Sequence, residues 1–435
     1  SPPPPTAGGG ERVTVRWYVG LGTGTDPVQM PAEEAVVKQF NESQDRINLV
    51  VEFVDYEQAR DQLKTQIASG NPPDIIGPVG QSGVNEFSGL FLDLQPYADA
   101  AGYDFSDFDI GTLNIYRLEG EGLVGIPIAV YPSMIYYNRD LFDEAGVAYP
   151  PHKYGEKYAD GDPWTVQKLE EIAMKLTFDE NGNDANSPDF NPEKIVQFGY
   201  ITQWNDATGE FAALFGAGSL VDRDGNAVLP DNWRQGIVWT YEGMHQKHFI
   251  PNRTYQESDL LAAGNPFDSG NVAMAHTHLW YTCCISTTTV PNWDYAAIPA
   301  YNDRGDLAVE IDADSFRILK GSKHPEEAFE ALSWLVGEGA PALLKIYGGM
   351  PARKAQRDAF FAELDSTFTQ GVDWQVVLDS LEHPDIPNHE ANLPNYSKAA
   401  DRLLAFQTLY QSDATLDLPA EIEKLMNDLQ TIYHE

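Results

Sequence analysis

Over its first eighty residues the chain alternates between two hydrophobic periods, and that alternation restricts the possible folds more than any other feature. Val13-Thr14-Val15-Arg16-Trp17-Tyr18-Val19 reads as a period-two strand ending in the Gly/Thr-rich stretch 20–25. A helix is expected from Pro31, a favoured first-turn residue, through Ala35, Val36 and Phe40. A second strand follows over 47–54, then a helix carrying Ala59, Leu63 and Ile67 at steps of four. Asn71-Pro72-Pro73-Asp74 breaks the pattern and Ile75-Ile76 restarts a short buried strand. Strands alternating with helices predict an α/β fold, with a parallel sheet covered by helices on both faces.

The alternation continues with different punctuation. Strands are expected at 126–138, 272–275, 295–298 and 316–319, and amphipathic helices at 164–176, from Pro325 to Leu335, and through Ile422, Leu425, Met426, Leu429 and Ile432. At about 150 residues per domain, 435 residues suggest two or three domains. A hydrophobic fraction of 42% with 11% aromatics supplies packed cores and excludes a disordered acidic chain.

Six passages then resemble, in order, the sugar-binding subunits of bacterial ABC importers, the extracellular solute-binding proteins related to maltose-binding protein. They are Asn71-Pro72-Pro73-Asp74-Ile75; the block from Ile126-Pro127-Ile128-Ala129 to Tyr136-Tyr137-Asn138-Arg139-Asp140-Leu141-Phe142; Phe267-Asp268-Ser269-Gly270-Asn271-Val272-Ala273-Met274; Ala313-Asp314-Ser315-Phe316-Arg317-Ile318; Ser322-Lys323-His324-Pro325-Glu326-Glu327-Ala328; and Gly348-Gly349-Met350-Pro351-Ala352-Arg353. The resemblance implies a two-lobed periplasmic-binding-protein-like fold of type II, each lobe a mixed sheet flanked by helices, with the ligand cleft between lobes. It assigns 11–129 and 299–350 to an N-terminal lobe and 130–298 and 351–435 to a C-terminal lobe. The implied function is extracytoplasmic capture of a mono- or oligosaccharide and delivery to an ABC permease, by a monomer that requires no cofactor and is not an enzyme. A non-sugar solute, such as a glycerophosphodiester or peptide, and a secreted carbohydrate-active enzyme are the alternatives.

Sugars present hydroxyls around an apolar C–H face, so their sites combine aromatic platforms with hydrogen-bonding carboxylates or amides. Trp280, in His276-Thr277-His278-Leu279-Trp280-Tyr281, follows a strand where the family places a stacking aromatic; an ordinary core tryptophan is the other reading. His278 and Tyr281 accompany it. Asp314 precedes an apolar run and is read either as a hydroxyl acceptor at a sheet end or as a turn cap. Gly349 and Met350 offer close backbone approach, and Arg353 offers a planar fork or a pairing with a lobe carboxylate. Tyr131, Ser133, Thr23, Asp26, Gly80, Gln81 and Trp204 are further loop and strand-end candidates. Trp374 and Tyr396, on helices, read more readily as core.

Asp179, Asn181 and Asn183 alternate oxygen side chains as the start of a calcium loop does, yet position six is Asp184 and position twelve Phe190, so a solvated Asn/Gly turn is favoured. His276 and His278 with Cys283 and Cys284 fit no zinc spacing. The two cysteines are adjacent, which leaves a strained vicinal disulfide and two buried thiols both open. No Gly-x-Ser-x-Gly, His-Glu-x-x-His or phosphate-binding glycine loop occurs.

The formal charge of −38 makes nucleic acid and anionic membrane surfaces poor partners and biases mildly against anionic solutes. Ser1-Pro2-Pro3-Pro4-Pro5-Thr6-Ala7-Gly8-Gly9-Gly10 reads as a tether suited to a surface lipoprotein, or as a cloning remnant.

Overall fold

The computed structural model describes residues 11–390 and 393–435; the expected tether at 1–10 lies outside them. β1 (Val13–Val19) pairs in parallel along its whole length with β2 (Ile47–Phe53), from Val13 opposite Ile47 to Val19 opposite Phe53. On its other side, Trp17 and Tyr18 pair with the start of the fully buried β3 (Ile75–Val79). Trp17, Tyr18 and Val19 are buried in succession, as a parallel strand covered on both faces requires. α1 (Met30–Ser43) starts with Pro31 in its first turn and buries Val36, Val37 and Phe40. α2 (Tyr56–Ala68) buries Ala59 and Leu63. Gly20 permits the turn out of β1, since a Cβ there would stand 2.2 Å from the Val54 carbonyl oxygen.

β4 (Ile126–Asn138) is buried over all thirteen residues. β5 (Ile195–Thr202) is parallel to β6 (Val272–His278), and β6 is antiparallel to β4, with Ser133 opposite His278. β7 (Trp293–Ala296) pairs antiparallel with the end of β4. β8 (Ile311–Ile318) is antiparallel to β3, and the short β9 (Met350–Pro351) pairs with Val130 and Ala129. Two strands are longer at one end than their apolar runs suggested. β6 continues through His276-Thr277-His278 because its partners continue, and β8 begins at Ile311 because Ile311 and Ala313 are buried between the less buried Asp312 and Asp314.

The chain forms two compact units. The first holds residues through Phe108, Tyr116–Val130 and Ala313–Gln356; the second holds Asp109–Ile115, Tyr131–Asp312 and Arg357–Glu435. Residues 299–312 therefore belong with the second unit, where Val309 and Asp385 are joined by backbone hydrogen bonds through Val309 to His383 and Asp385 to Val309. Residues 351–356 belong with the first, through Ala352 N–H to Ile128 and Lys354 N–H to Asp107. The first unit's core gathers Tyr18, Leu63, Ile76 and Phe91. In the second, the helices Asp231–His245, Tyr396–Ser412 and Leu418–Tyr433 bury Trp233, Phe406, Leu425 and Leu429 together.

Candidate functional site

In the second unit, β6 ends in His276-Thr277-His278, all buried, and period-two geometry places both imidazoles on one face. The 3-10 turn Leu279–Cys284 follows at once. It brings Trp280 beside His278, with ring centroids 5.5 Å apart and planes 25° from parallel. Trp204 lies 5.9 Å from Trp280 at 10°, and His389 lies 6.3 Å from His278 at 16°, so four rings form one near-parallel row. Trp204 is 41% exposed and adopts φ 57° just after β5. Its indole N–H donates to the Gly264 carbonyl at 2.7 Å, and Tyr281 packs edge-on against it at 5.0 Å. A left-handed backbone costs a tryptophan about 1–2 kcal/mol, so these contacts override the local preference to hold the ring half in solvent.

Asp312 of β8 joins the row. Its Oδ1 lies 3.1 Å from His389 Nε2 and its Oδ2 3.5 Å from His278 Nε2. His389 Nδ1 meets Asp385 Oδ2 at 2.7 Å, and Asp385 accepts the backbone N–H groups of Ile311 and His389. Burial opposes charge on His389, but Glu310, Asp385 and Asp312 hold its pKa well above the ordinary imidazole value. Burial would likewise raise the Asp312 pKa, yet the His278 and His389 imidazoles bring it to about 2. His278 itself is pushed down by burial, with Asp312 opposing. His276 faces Glu310 at 3.7 Å, where burial drives the imidazole pKa well below and the carboxyl pKa well above their usual values, the His389 charge opposing the latter. Asn205 donates to Glu310 Oε2 at 2.8 Å. An ionised, partly exposed carboxylate beside aromatic faces suits a polyhydroxylated solute: the rings cover C–H surface and the carboxylate accepts hydroxyl protons.

The first unit carries a separate cluster around the 20–25 loop. Gln29 donates to Thr23 Oγ1 at 3.0 Å and accepts from the Gly24 N–H at 2.9 Å. Gly24 has φ +114°, and a Cβ there would stand 2.6 Å from Glu33 Oε1. Glu33 is fully buried and accepts a 2.5 Å hydrogen bond from the Tyr347 hydroxyl. Burial raises its pKa to about 7, with the Tyr347 bond opposing. Gly80 precedes the helical turn Gln81–Val84, and the Gln81 side-chain carbonyl accepts from the buried Arg317. Asp26 is exposed and accepts the Val28 N–H at 2.8 Å.

A family model for bacterial extracellular solute-binding proteins matches residues 24–341. The chain belongs to that family. This solute-binding protein is 27% identical over 314 residues to a Brucella abortus binding protein, covering 70% of this chain and 68% of the relative. It is also 27% identical over 260 residues to the arabinooligosaccharide-binding protein of Halalkalibacterium halodurans, covering 57% of this chain and 51% of that one. Its fold is that of UspC from M. tuberculosis, with a TM-score of 0.76 at 19% identity, covering 97% of this chain and 100% of UspC. The family is one of extracellular binding proteins. No helix among the described residues is long and apolar enough to cross a membrane.

Against this frame, Trp204, Trp280 and His278 of the solute-binding protein come together, while other candidates take structural roles. Tyr281 is a core residue whose hydroxyl donates to Asn265 at 2.5 Å; it supports Trp204 from behind. Arg353 donates to the Val336 carbonyl and the Tyr103 hydroxyl and lies 3.6 Å from Asp107, so its fork is used inside the first unit. Met350 is buried in β9, Gly349 is buried beside it, and Ser133 and Tyr131 are buried along β4. Asp314 is neither a turn cap nor at a sheet end, but inside β8.

The calcium reading of Asp179, Asn181 and Asn183 gives way to the turn. Asp179 is buried, and its two oxygens accept the backbone N–H groups of Asn181, Asn183 and Asn191 and the Asn183 side-chain amide, at 2.9–3.1 Å. Those donors point their positive ends where a cation would have to sit. Cys283 and Cys284 are joined in a disulfide and are not buried, which removes the buried-thiol reading and any thiolate site with His276 and His278. Trp374 packs on Trp293 and Tyr295, and Tyr396 packs against the helical core. Asp312, His389, Asn205 and Asp385 were missed. The period-two run from Ile311 to Ser315 could have placed Asp312; nothing in the stretch 383–389 signals that His389 folds back onto it.

Proposed function

We propose that this protein captures a neutral carbohydrate at the ring row of its second unit and delivers it unchanged to an ABC permease, acting as a monomer outside the cytoplasm. The observation that carries the reading is the half-exposed Trp204, set near-parallel to Trp280 with the ionised Asp312 at the same row. Stacking on the indoles would provide affinity for a sugar's C–H face, and the carboxylate would accept its hydroxyl protons. The arabinooligosaccharide-binding relative supports a sugar as the solute. The family's role as binding proteins supports return of the solute unaltered.

A thermal-shift screen of mono- and oligosaccharides, followed by calorimetry, tests this. A sugar at a hundred times its Kd should stabilise the protein by about 2.7 kcal/mol. Trp204→Ala should abolish that response while the ligand-free protein stays folded by circular dichroism, because the ring is 41% exposed and lies outside the core. Silence across sugars and polyols would overturn the carbohydrate assignment. A response to glycerophosphodiesters or peptides would move it to those classes, and new reducing ends after incubation would identify an enzyme instead.

A further inference from the structure

The inner end of the ring row has a geometry that sugar binding leaves unexplained. His389 Nδ1 is held by Asp385 at 2.7 Å, and Asp385 is fixed in turn by the backbone N–H groups of Ile311 and His389 and by the Asn388 amide at 3.2 Å. This is the buttressing that metal-ligating histidines receive: a carboxylate takes Nδ1 and turns Nε2 outward as a ligand. Nε2 of His389 does point to other ligand atoms. Asp312 Oδ1 lies 3.1 Å away as an ion-pair partner, outside hydrogen-bond geometry, so both atoms face the same small space. His278 brings a second imidazole, with Nε2 3.5 Å from Asp312 Oδ2 and Nδ1 buried and unpartnered. One ligand atom each from Asp312, His389 and Glu390 lie within 4.8 Å of one another.

We propose that His278, His389, Asp312 and Glu390 form a binding site for one divalent metal ion of the zinc class. Two imidazoles and two carboxylates are a donor set for that class. An ion about 2.0–2.2 Å from each ligand in tetrahedral geometry holds ligand atoms about 3.3–3.6 Å apart. The His389 Nε2–Asp312 Oδ1 separation of 3.1 Å lies close to that range, while His278 Nε2 approaches the other oxygen, Oδ2, at 3.5 Å, so loading requires side-chain adjustment that turns both imidazoles toward one point. Three of the four residues are fixed by defined backbone: His278 ends β6, Asp312 lies in β8, and His389 follows directly on the Asp385 turn. The Asp312 side chain is 24% exposed, which gives an ion a path from solvent. A carboxylate can hold an ion with one oxygen and accept a hydroxyl proton with the other, so the site goes beyond the carbohydrate reading and does not depend on it.

The test uses the whole chain, stripped with chelator and titrated calorimetrically with zinc chloride in the absence of sugar. One ion per chain is expected. Asp312→Asn and Glu390→Gln preserve side-chain volume and should each weaken zinc binding at least 10-fold. Asp385→Asn, which of the four proposed ligands touches only His389, should weaken it about 10-fold or more. Loading with cobalt(II) should give the intense visible absorption of a tetrahedral centre, lost in His278→Gln. Circular dichroism of each variant, matched to the parent, ties those losses to ligation. No binding at tens of micromolar zinc, or binding unchanged in Asp312→Asn and Glu390→Gln, would overturn the site.

Discussion

Glu33 offers a stability measurement whose sign is fixed by its surroundings. It sits fully buried in the first turn of α1, under the 20–25 loop, with Oε1 accepting from Tyr347 and Oε2 buried without a partner. Burial takes its pKa from an ordinary 4.5 to about 7 in the folded protein. The folded state therefore retains a proton that the unfolded chain has lost between those values, and stability falls as pH rises through the window. The stabilisation from protonation is fully present below pH 4.5 and gone above pH 7. At 1.36 kcal/mol per unit, the loss between pH 5 and pH 8 is about 2.5 kcal/mol. Glu33→Gln keeps the acceptor for Tyr347 and cannot ionise, so it should remove that pH dependence. Its buried amide N–H inherits the unpartnered Oε2 position and costs about 1 kcal/mol at either pH. The variant should then be slightly less stable than the parent at pH 5 and more stable at pH 8. Urea unfolding of both proteins across this range checks it, since all other titrations cancel in the difference. A difference that stays within about 0.5 kcal/mol from pH 5 to pH 8 would refute the buried, protonated carboxyl.

Three further outcomes follow. Leu425→Ala, at a fully buried position in the helical core of the second unit, should cost about 2–5 kcal/mol in urea unfolding, because the cavity adds to the lost transfer energy. Gly199→Ala should destabilise by about 2 kcal/mol or more, or prevent folding, since its Cβ would stand 2.0 Å from the Ala173 carbonyl oxygen on packed backbone; expression and melting temperature report it. Reduction of the Cys283–Cys284 bond should add the mass of two hydrogens and move the melting temperature by less than about 2 °C, because a bond between neighbours closes almost no chain in the unfolded state.

What the sequence discloses and what it hides divide along a physical line. The strands β1 to β3 and the helices between them are legible because burial in a parallel sheet imposes local periods: Trp17 and Tyr18 or Leu63 and Ala59 declare their faces within a few residues. Trp280 and Trp204 are legible as candidates because both lie at the ends of such strands, and their near-parallel pairing follows once β5 and β6 are neighbours. The electrostatics are not local in that way. Asp312, His278 and His389 come from a strand centre, a strand end and a loop, and the state of each depends on the other two.

The same division governs side chains that sit in matching motifs. Arg353 and Asp314 lie in matching motifs, yet side chains at such positions answer to whichever partner tertiary packing supplies. Asp107 and Tyr103, about 250 positions earlier, engage Arg353 before any solute can. Asp179 shows the converse: its calcium-like spacing is real, but the turn that spacing builds delivers four N–H donors to the carboxylate. Oxygen atoms at alternate positions thus describe a cation site only where the backbone N–H groups of the loop point elsewhere. At Asp312 no backbone N–H is bonded to the carboxylate, which faces the imidazoles of His389 and His278 at 3.1 and 3.5 Å instead. The two aspartates differ in what surrounds the carboxylate, and that difference makes one a turn and leaves the other open to the proposed ion.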